Sequence, residues 1–195
     1  RAGALAPAPG APRPVARPCA AAAEPVRLAI IADTHLPRSR RRLPEPCVEL
    51  LRAADLILHA GDVSTAAVLD ELEALGPPVA AVHGNVDEPA LRARLPAERV
   101  VVAGPARIGL IHDAGPARGR LERLRRRFDG ADAVVFGHSH IPLHERDPAT
   151  GFQIFNPGSP TDRRRQPAHT MGAAQVGSGG VAFELVALDQ AASGL

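Results

Sequence analysis

A chain of 195 residues with 45% hydrophobic content is long enough for one domain with a buried core. Its formal net charge of +2 is carried by the first 24 residues, where Arg1, Arg13 and Arg17 face Glu24 alone. With a balanced remainder, 3% aromatics and no Trp or Tyr, it lacks the basic surface that phosphate backbones select and the stacking platforms of single-strand binders.

Residues 1–25, rich in Ala, Pro and Arg without apolar periodicity, read as a disordered leader; residues 26–188 form the folded domain and 189–195 a tail. The leader has no apolar core suited to a signal peptide, and no run reaches the roughly 18 residues of a membrane span, so no membrane partner is expected. Cys19 and Cys47 are too few for a disulfide framework and point to a reducing, cytoplasmic setting.

The apolar runs "VRLAIIA" at 26–32, "LILHAG" at 56–61 and "VAAVHG" at 79–84 read as strands. Helical stretches at 46–54 and 64–75 lie between them, the second placing Val68, Leu69, Leu72 and Leu75 on one face behind Ser64 or Thr65 as cap. That alternation predicts a parallel sheet. Two strands follow around the turn at Gly104, then a helix over 116–128 with Leu121, Leu124 and Phe128 inward and Arg125 to Arg127 on a solvated face. After the strand at 133–137, Gly and Pro turns join four more segments that read as mostly antiparallel strands. The fold class is α/β.

Polar residues gather directly behind these strands. Asp33 and His35 follow the first, Asp62 the second, Asn85 and Asp87 the third, His112 a later one, and His138 and His140 the next. Ligands of open α/β sheets collect outside the carboxyl ends of strands, so the five clusters are expected to converge. Each alone is weak, since a D-x-H triplet or a G-D turn arises by chance; five in order, three of them beside a glycine that allows close backbone approach, are not. In extended backbone Asp33 and His35 point to one side, as do His138 and His140. Asp33 and Asp62 brought together would repel and rise in pKa unless a cation sat between them. Carboxylate, imidazole and amide oxygen without thiolate suit Mn, Fe, Zn, Co or Ni better than Ca or Mg. Seven ligands are too many for one tetrahedral site but suffice for two ions sharing a carboxylate.

D-x-H, G-D, G-N-x-D, a lone strand-end His and G-H-x-H in that order resemble the calcineurin-like metallophosphoesterases. "HGNVD" and "NPGSPTDRRRQP" are most similar to the small YfcE-like phosphodiesterase subfamily, to which the retromer subunit Vps29 also belongs. The resemblance covers Val26 to Leu188 and implies a four-layer α/β/β/α sandwich of two packed mixed sheets flanked by helices. It implies a metal-dependent phosphoric diester hydrolase with two divalent ions, manganese foremost and Ni, Co, Zn or Fe as alternatives. Asp33, His35 and His140 would hold one ion and Asn85, His112 and His138 the other, bridged by Asp62. Asp33, Asp62, Asn85 and His112 would serve the chemistry, in which a hydroxide between the ions attacks phosphorus in line. The expected partner is a small phosphodiester, the oligomeric state is left open, and the alternative is a Vps29-like protein-binding scaffold with little or no activity.

Val86 stands where many larger relatives have a histidine that protonates the departing oxygen, so esters with good leaving groups are expected to be preferred. Asp113 replaces the subfamily's usual glycine and reads as a turn residue. Asp87 either orients a ligand or caps the helix begun by Pro89. His59 and His83 read as hydrogen-bonded core histidines, and Asn156 or Ser159 as hydrogen-bonding a ligand from a loop under the site. Arg163 to Arg165 read as exposed loop, with substrate phosphate as the alternative.

Overall fold

The computed structural model describes residues 24–36 and 42–189. The expected leader apart from Glu24 and Pro25, and the expected tail after Asp189, lie outside the described residues. Strand β1 (Val26–Ile31) shows why the chain builds layers. Leu28 and Ile30 enter one core while Ala29 and Ile31 enter another, which is the period of two of a strand buried on both faces. β2 (Leu56–His59) and β3 (Val79–Ala81) run parallel to β1 and are reached through helices α1 (Glu45–Ala53) and α2 (Ala66–Glu73). Cys47 and Leu51 of α1 and Leu72 of α2 pack on Ala29, Ile31 and Ile57, sealing that face. Cys47 is a free thiol that burial pushes up to about 12. After the short helix α3 (Pro89–Arg94) come the hairpin strands β4 (Glu98–Ala103) and β5 (Ala106–Ile111), then α4 (Arg120–Arg127). β6 (Ala133–Val135), β7 (Leu143–Arg146) and β8 (Gln153–Asn156) complete the second sheet, of order β4-β5-β6-β8-β7. β9 (Thr170–Gly177) and β10 (Gly180–Ala187) return to the first, whose order is β10-β9-β1-β2-β3.

The inner faces of the two sheets meet in one core, with Ile30, Leu58 and Val82 against Ile108, Leu110, Val135 and Phe155. Leu124 of α4 and the following Phe128 close the outer face of the second sheet over Val134 and Ile154. The architecture is therefore the expected four-layer α/β/β/α sandwich. Arg125, Arg126 and Arg127 pair at the surface with Glu122 and Glu98, as a solvated face does. Among the described residues no helix is long and apolar enough to cross a membrane.

One expectation is corrected. Thr65 occupies the N-cap position of α2 without a side-chain cap bond; Glu88, at the start of α3, accepts from the Ala66 N–H at 2.8 Å instead. The last four strands pair mostly antiparallel, as expected, with one exception: β8 is antiparallel to β7 but parallel to β6. That second pairing brings its carboxyl end at Asn156 to the edge where β6 ends, which decides what lies beneath the site.

Candidate metal centre

The β1–β2 ladder continues past both strands into the loops that carry the first ligands. The N–H of Ala60 donates to Ile31 C=O at 2.9 Å, that of Asp33 to Gly61 C=O at 3.0 Å and that of His35 to Asp62 C=O at 3.0 Å. Leu36 then bridges Ser64 in parallel. The backbone within this ladder is left-handed, with φ of 54° at Asp33, 48° at His35 and 57° at Asp62, and the second imidazole pair repeats it at 67° for His138 and 58° for His140. Alternating left-handed residues, not extended backbone, set each pair toward the site. For side chains with a Cβ this conformation costs on the order of 1–3 kcal/mol each and persists only where the surroundings fix it.

All seven side chains singled out in the sequence come together. Asp33, His35 and His140 form one group and Asp33, Asp62 and His112 a second, with potential ligand atoms in each within 4.8 Å of one another. In the first, His35 Nε2 lies 3.0 Å from His140 Nε2 and Asp33 Oδ1 lies 3.4 Å from His140 Nε2. Beside the second, Asn85 Oδ1 is 3.1 Å from His112 Nε2 and 3.0 Å from His138 Nδ1. Asp62 Oδ2 stands between the groups, 3.7 Å from His35 Nε2 and 3.3 Å from His112 Nε2. Asp33, His35 and His140 are buried, whereas Asn85 and His138 are exposed, so solvent reaches the assembly from the side of the latter.

The hydrogen bonds fix which atoms are available. His140 Nδ1 lies 2.5 Å from the Asp162 carbonyl and His112 Nδ1 2.8 Å from the Ala60 carbonyl. A carbonyl only accepts, so both Nδ1 atoms carry a proton, and in the neutral rings the Nε2 lone pairs face inward. Asp33 Oδ2 is buried with no hydrogen-bond partner, in a protein interior where such atoms are nearly always satisfied. A Cβ on Gly137 would lie 2.8 Å from it. A carboxylate with one unpartnered oxygen and the other 3.4 Å from an inward imidazole nitrogen is part of a donor set that fits divalent cations.

The two carboxylates differ, which corrects the expectation that both are raised. Burial first, and the charge of Asp62, push Asp33 up to about 7 although the charge of His112 pulls the other way. At Asp62 burial also raises the pKa, but the hydrogen bond and charge of His112 outweigh it and hold the carboxyl at about 2. His112 responds in kind: burial disfavours its proton, yet the bond to Asp62 and the charges of both carboxylates raise its pKa.

The surrounding residues settle the remaining expectations. Asp87 does not cap α3, whose N-cap is Glu88; its Oδ1 accepts from Ser64 N–H at 2.6 Å and its Oδ2 from Gly84 N–H at 2.7 Å, tying together the loops of Asp62 and Asn85. A Cβ on Gly84 would overlap the Asp62 carboxylate, so that position must be glycine. Asp113 accepts from Gly115 N–H at 2.7 Å and is a turn residue. His59 is a buried, hydrogen-bonded histidine, while His83 is half-buried with a contact of 3.4 Å to the Gly84 carbonyl. Asn156 donates to Gly137 C=O at 2.9 Å, and Ser159 donates to the carbonyl of Asp33 at 2.8 Å, not to its side chain. Arg163 to Arg165 are exposed, and the charge of Arg164 is felt at Asp33 and His140. Thr34 and Thr161, which the strand-end pattern does not single out, bond through their hydroxyls to Asp62 C=O at 3.3 Å and Thr34 C=O at 2.5 Å; their proximity to D-x-H and N-P-G-S is the one signal they carry in the sequence.

The family model of the calcineurin-like phosphoesterase superfamily domain matches residues 26–179. A probable metallophosphoesterase of Methanothermobacter thermautotrophicus is 37% identical over 136 residues, which are 69% of this chain and 77% of that protein. Among solved structures, Vacuolar Protein Sorting 29 from Cryptosporidium parvum aligns with a TM-score of 0.69 at 22% identity, over 84% of this chain and 99% of that one. A novel archaeal phosphodiesterase aligns at 0.65 and 18% identity, over 83% and 99%. At such identities these two likenesses speak to the fold alone. The family match spans every loop that supplies Asp33, His35, Asp62, Asn85, His112, His138 and His140, and on its strength the chain belongs to the calcineurin-like phosphoesterase superfamily.

Proposed function

We propose that this chain is a dinuclear, metal-dependent phosphodiesterase acting on small phosphoric diesters. The observation that carries the reading is the convergence of seven side chains from five loops into two abutting groups of potential ligands, with Asp33 Oδ2 buried and unpartnered among them. Asp33, His35 and His140 would hold one ion, Asn85, His112 and His138 the other, with Asp62 reaching both. When bound, the ions would lower the pKa of water to roughly 7 and neutralise phosphate oxygens as charge develops. Manganese is the first choice, with Ni, Co, Zn and Fe as alternatives.

The chain's own residues decide which esters can react. His112 and His140, each oriented by a backbone carbonyl, present Nε2 inward and hold no proton to give there as neutral ligands. Val86, 42% exposed at the rim, donates its N–H to Asp62 Oδ1 at 3.0 Å and has no side-chain proton for the departing oxygen. The substrate must then leave as a stable anion, which favours aryl over alkyl esters. The fold of the archaeal phosphodiesterase supports the diester reading, and the free buried Cys47 suits a reducing, cytoplasmic setting.

Chelator-stripped protein supplied with Mn²⁺ is expected to hydrolyse bis(p-nitrophenyl) phosphate faster than p-nitrophenyl phosphate. No hydrolysis of the diester with any of Mn, Ni, Co or Zn would instead identify a docking module on this fold, as the likeness to Vacuolar Protein Sorting 29 allows.

A further inference from the structure

The loop after β8 grips the site from below. Ser159 Oγ donates to Asp33 C=O at 2.8 Å and Thr161 Oγ1 to Thr34 C=O at 2.5 Å, while Asp162 C=O accepts from His140 Nδ1 at 2.5 Å. The loop is braced on itself, since the N–H groups of Thr161 and Asp162 donate to Ser159 Oγ at 3.3 and 2.9 Å. Both hydroxyl residues are buried, Ser159 at 1% and Thr161 at 8% exposure. From the other side the Gly61 and Asp62 carbonyls take the N–H groups of Asp33 and His35. The turn Asp33-Thr34-His35 is thus held by its N–H groups against the β2 loop and by its C=O groups against residues 159 and 161. It needs holding, because two of its three residues are left-handed without being glycine.

We infer that Ser159 and Thr161 are positioning residues for one metal of the pair, the one taken by Asp33, His35 and His140, and that they set its affinity without touching a ligand atom. The inference rests on the dinuclear reading above. The carbonyl that Ser159 holds belongs to Asp33, and the carbonyl that Thr161 holds belongs to the peptide leading into His35. Loss of either bond frees that peptide to rotate toward the β region, which swings the carboxylate or the imidazole off the point that His140 Nε2 faces. The other group has contacts that do not pass through Thr34 or His35: His112 is held by the Ala60 carbonyl, and Asn85 Oδ1 lies against both rings. Asp33 is shared, its Oδ1 accepting from the His138 N–H at 3.2 Å, so the effect of Thr161 falls on the ion of His35 and His140 and that of Ser159 falls more on that ion than on the other.

The test is a calorimetric Mn²⁺ titration of chelator-stripped protein, with melting of the same metal-free samples. Thr161→Val removes the hydroxyl at nearly constant shape, Ser159→Ala is the independent second variant, and Thr161→Ser restores the bond. Wild type is expected to bind two ions. Thr161→Val is expected to weaken one of them by about 10- to 100-fold and leave the other unchanged, Ser159→Ala to weaken the same ion more than the other, and Thr161→Ser to return to wild type. Two unchanged affinities in both loss variants, with or without a lower melting temperature, would mark the hydroxyls as merely structural and overturn the inference, as would equal weakening of both ions. A wild type that binds fewer than two ions overturns the dinuclear reading, and the inference with it.

Discussion

Acid probes the buried floor of the site. His59 closes β2 in full burial, and its Nδ1 accepts from Gly61 N–H at 3.2 Å. The proton of the neutral ring therefore sits on Nε2, which donates to Thr34 Oγ1 at 3.1 Å. Burial first, then the charge of His112, push this imidazole down to about 3, although the charge of Asp62 favours its proton. An unfolded histidine titrates near 6.5, so the stability held by neutral His59 is complete above about pH 6.5 and is lost as the pH falls toward the folded value. Between about pH 7 and about pH 4.5 only the unfolded ring takes up a proton, and linkage puts the loss at roughly 2.5 kcal/mol, whatever the folded value so long as it lies well below 4.5. Asp33 opposes this. Its carboxyl, raised to about 7 chiefly by burial, takes up its proton in the folded state first, so the same interval adds roughly 3 kcal/mol. The two nearly cancel in the wild type, and a difference between proteins is needed to separate them. His59→Gln keeps an amide donor and acceptor in the floor but does not titrate. Urea unfolding followed by circular dichroism, in chelator at both pH values, is expected to show the variant less stable at neutral pH and the gap narrowing by roughly 2.5 kcal/mol on acidification. A gap independent of pH would refute the argument that His59 stays neutral under the site.

Mn²⁺ at about a hundred times its dissociation constant adds about 2.7 kcal/mol per site, so chelation is expected to lower the melting temperature by several degrees in differential scanning fluorimetry, and an unchanged value would speak against a metal centre. Gly84→Ala drives a Cβ into the Asp62 carboxylate; about 1–3 kcal/mol of stability and most Mn²⁺-dependent diester hydrolysis are expected to go, and a fully active variant would contradict the close approach. Asp87→Asn turns one of two acceptors toward an N–H as a donor, and thermal unfolding is expected to register about 1–3 kcal/mol of destabilisation. Val86→His places a proton donor beside Asp62 and is expected to speed hydrolysis of an alkyl ester tenfold or more while leaving bis(p-nitrophenyl) phosphate nearly unaffected; no gain on the alkyl ester would show that leaving-group protonation is not what this position lacks.

The layers were legible in the sequence because periodicity reports burial directly. Leu28 and Ile30 alternate with Ala29 and Ile31, and two buried faces on one strand require something packed on each side. The strand pairings were less so, because pairing depends on contacts far apart in the chain. The segment Gln153–Asn156 looks the same whether it runs beside β7 alone or also beside β6, and only the tertiary fold decides that it is parallel to β6. The cap of α2 escaped for the same reason: Thr65 is a sound local choice, but the acceptor comes from Glu88, in the loop after the next strand.

At the site, residue types were legible and backbone was not. Five strand ends announced Asp33, His35, Asp62, Asn85, His112, His138 and His140, since their chemistry is written in the side chains. A period of two then suggested extended backbone, yet Asp33, His35, His138 and His140 are all left-handed. The reason is that an extended segment would carry the ladder onward and point alternate side chains along the sheet normal, into the core on one side and the helices on the other. Left-handed residues turn the side chains off the sheet's end while the N–H groups of Asp33 and His35 stay bonded to the β2 loop. Such a turn is uphill for residues that bear a Cβ, so it exists only where other parts of the chain claim its carbonyls. Ser159 and Thr161 do so from 126 and 127 residues away. No local pattern announces a constraint of that kind, because the residues that impose it carry none of the chemistry they serve.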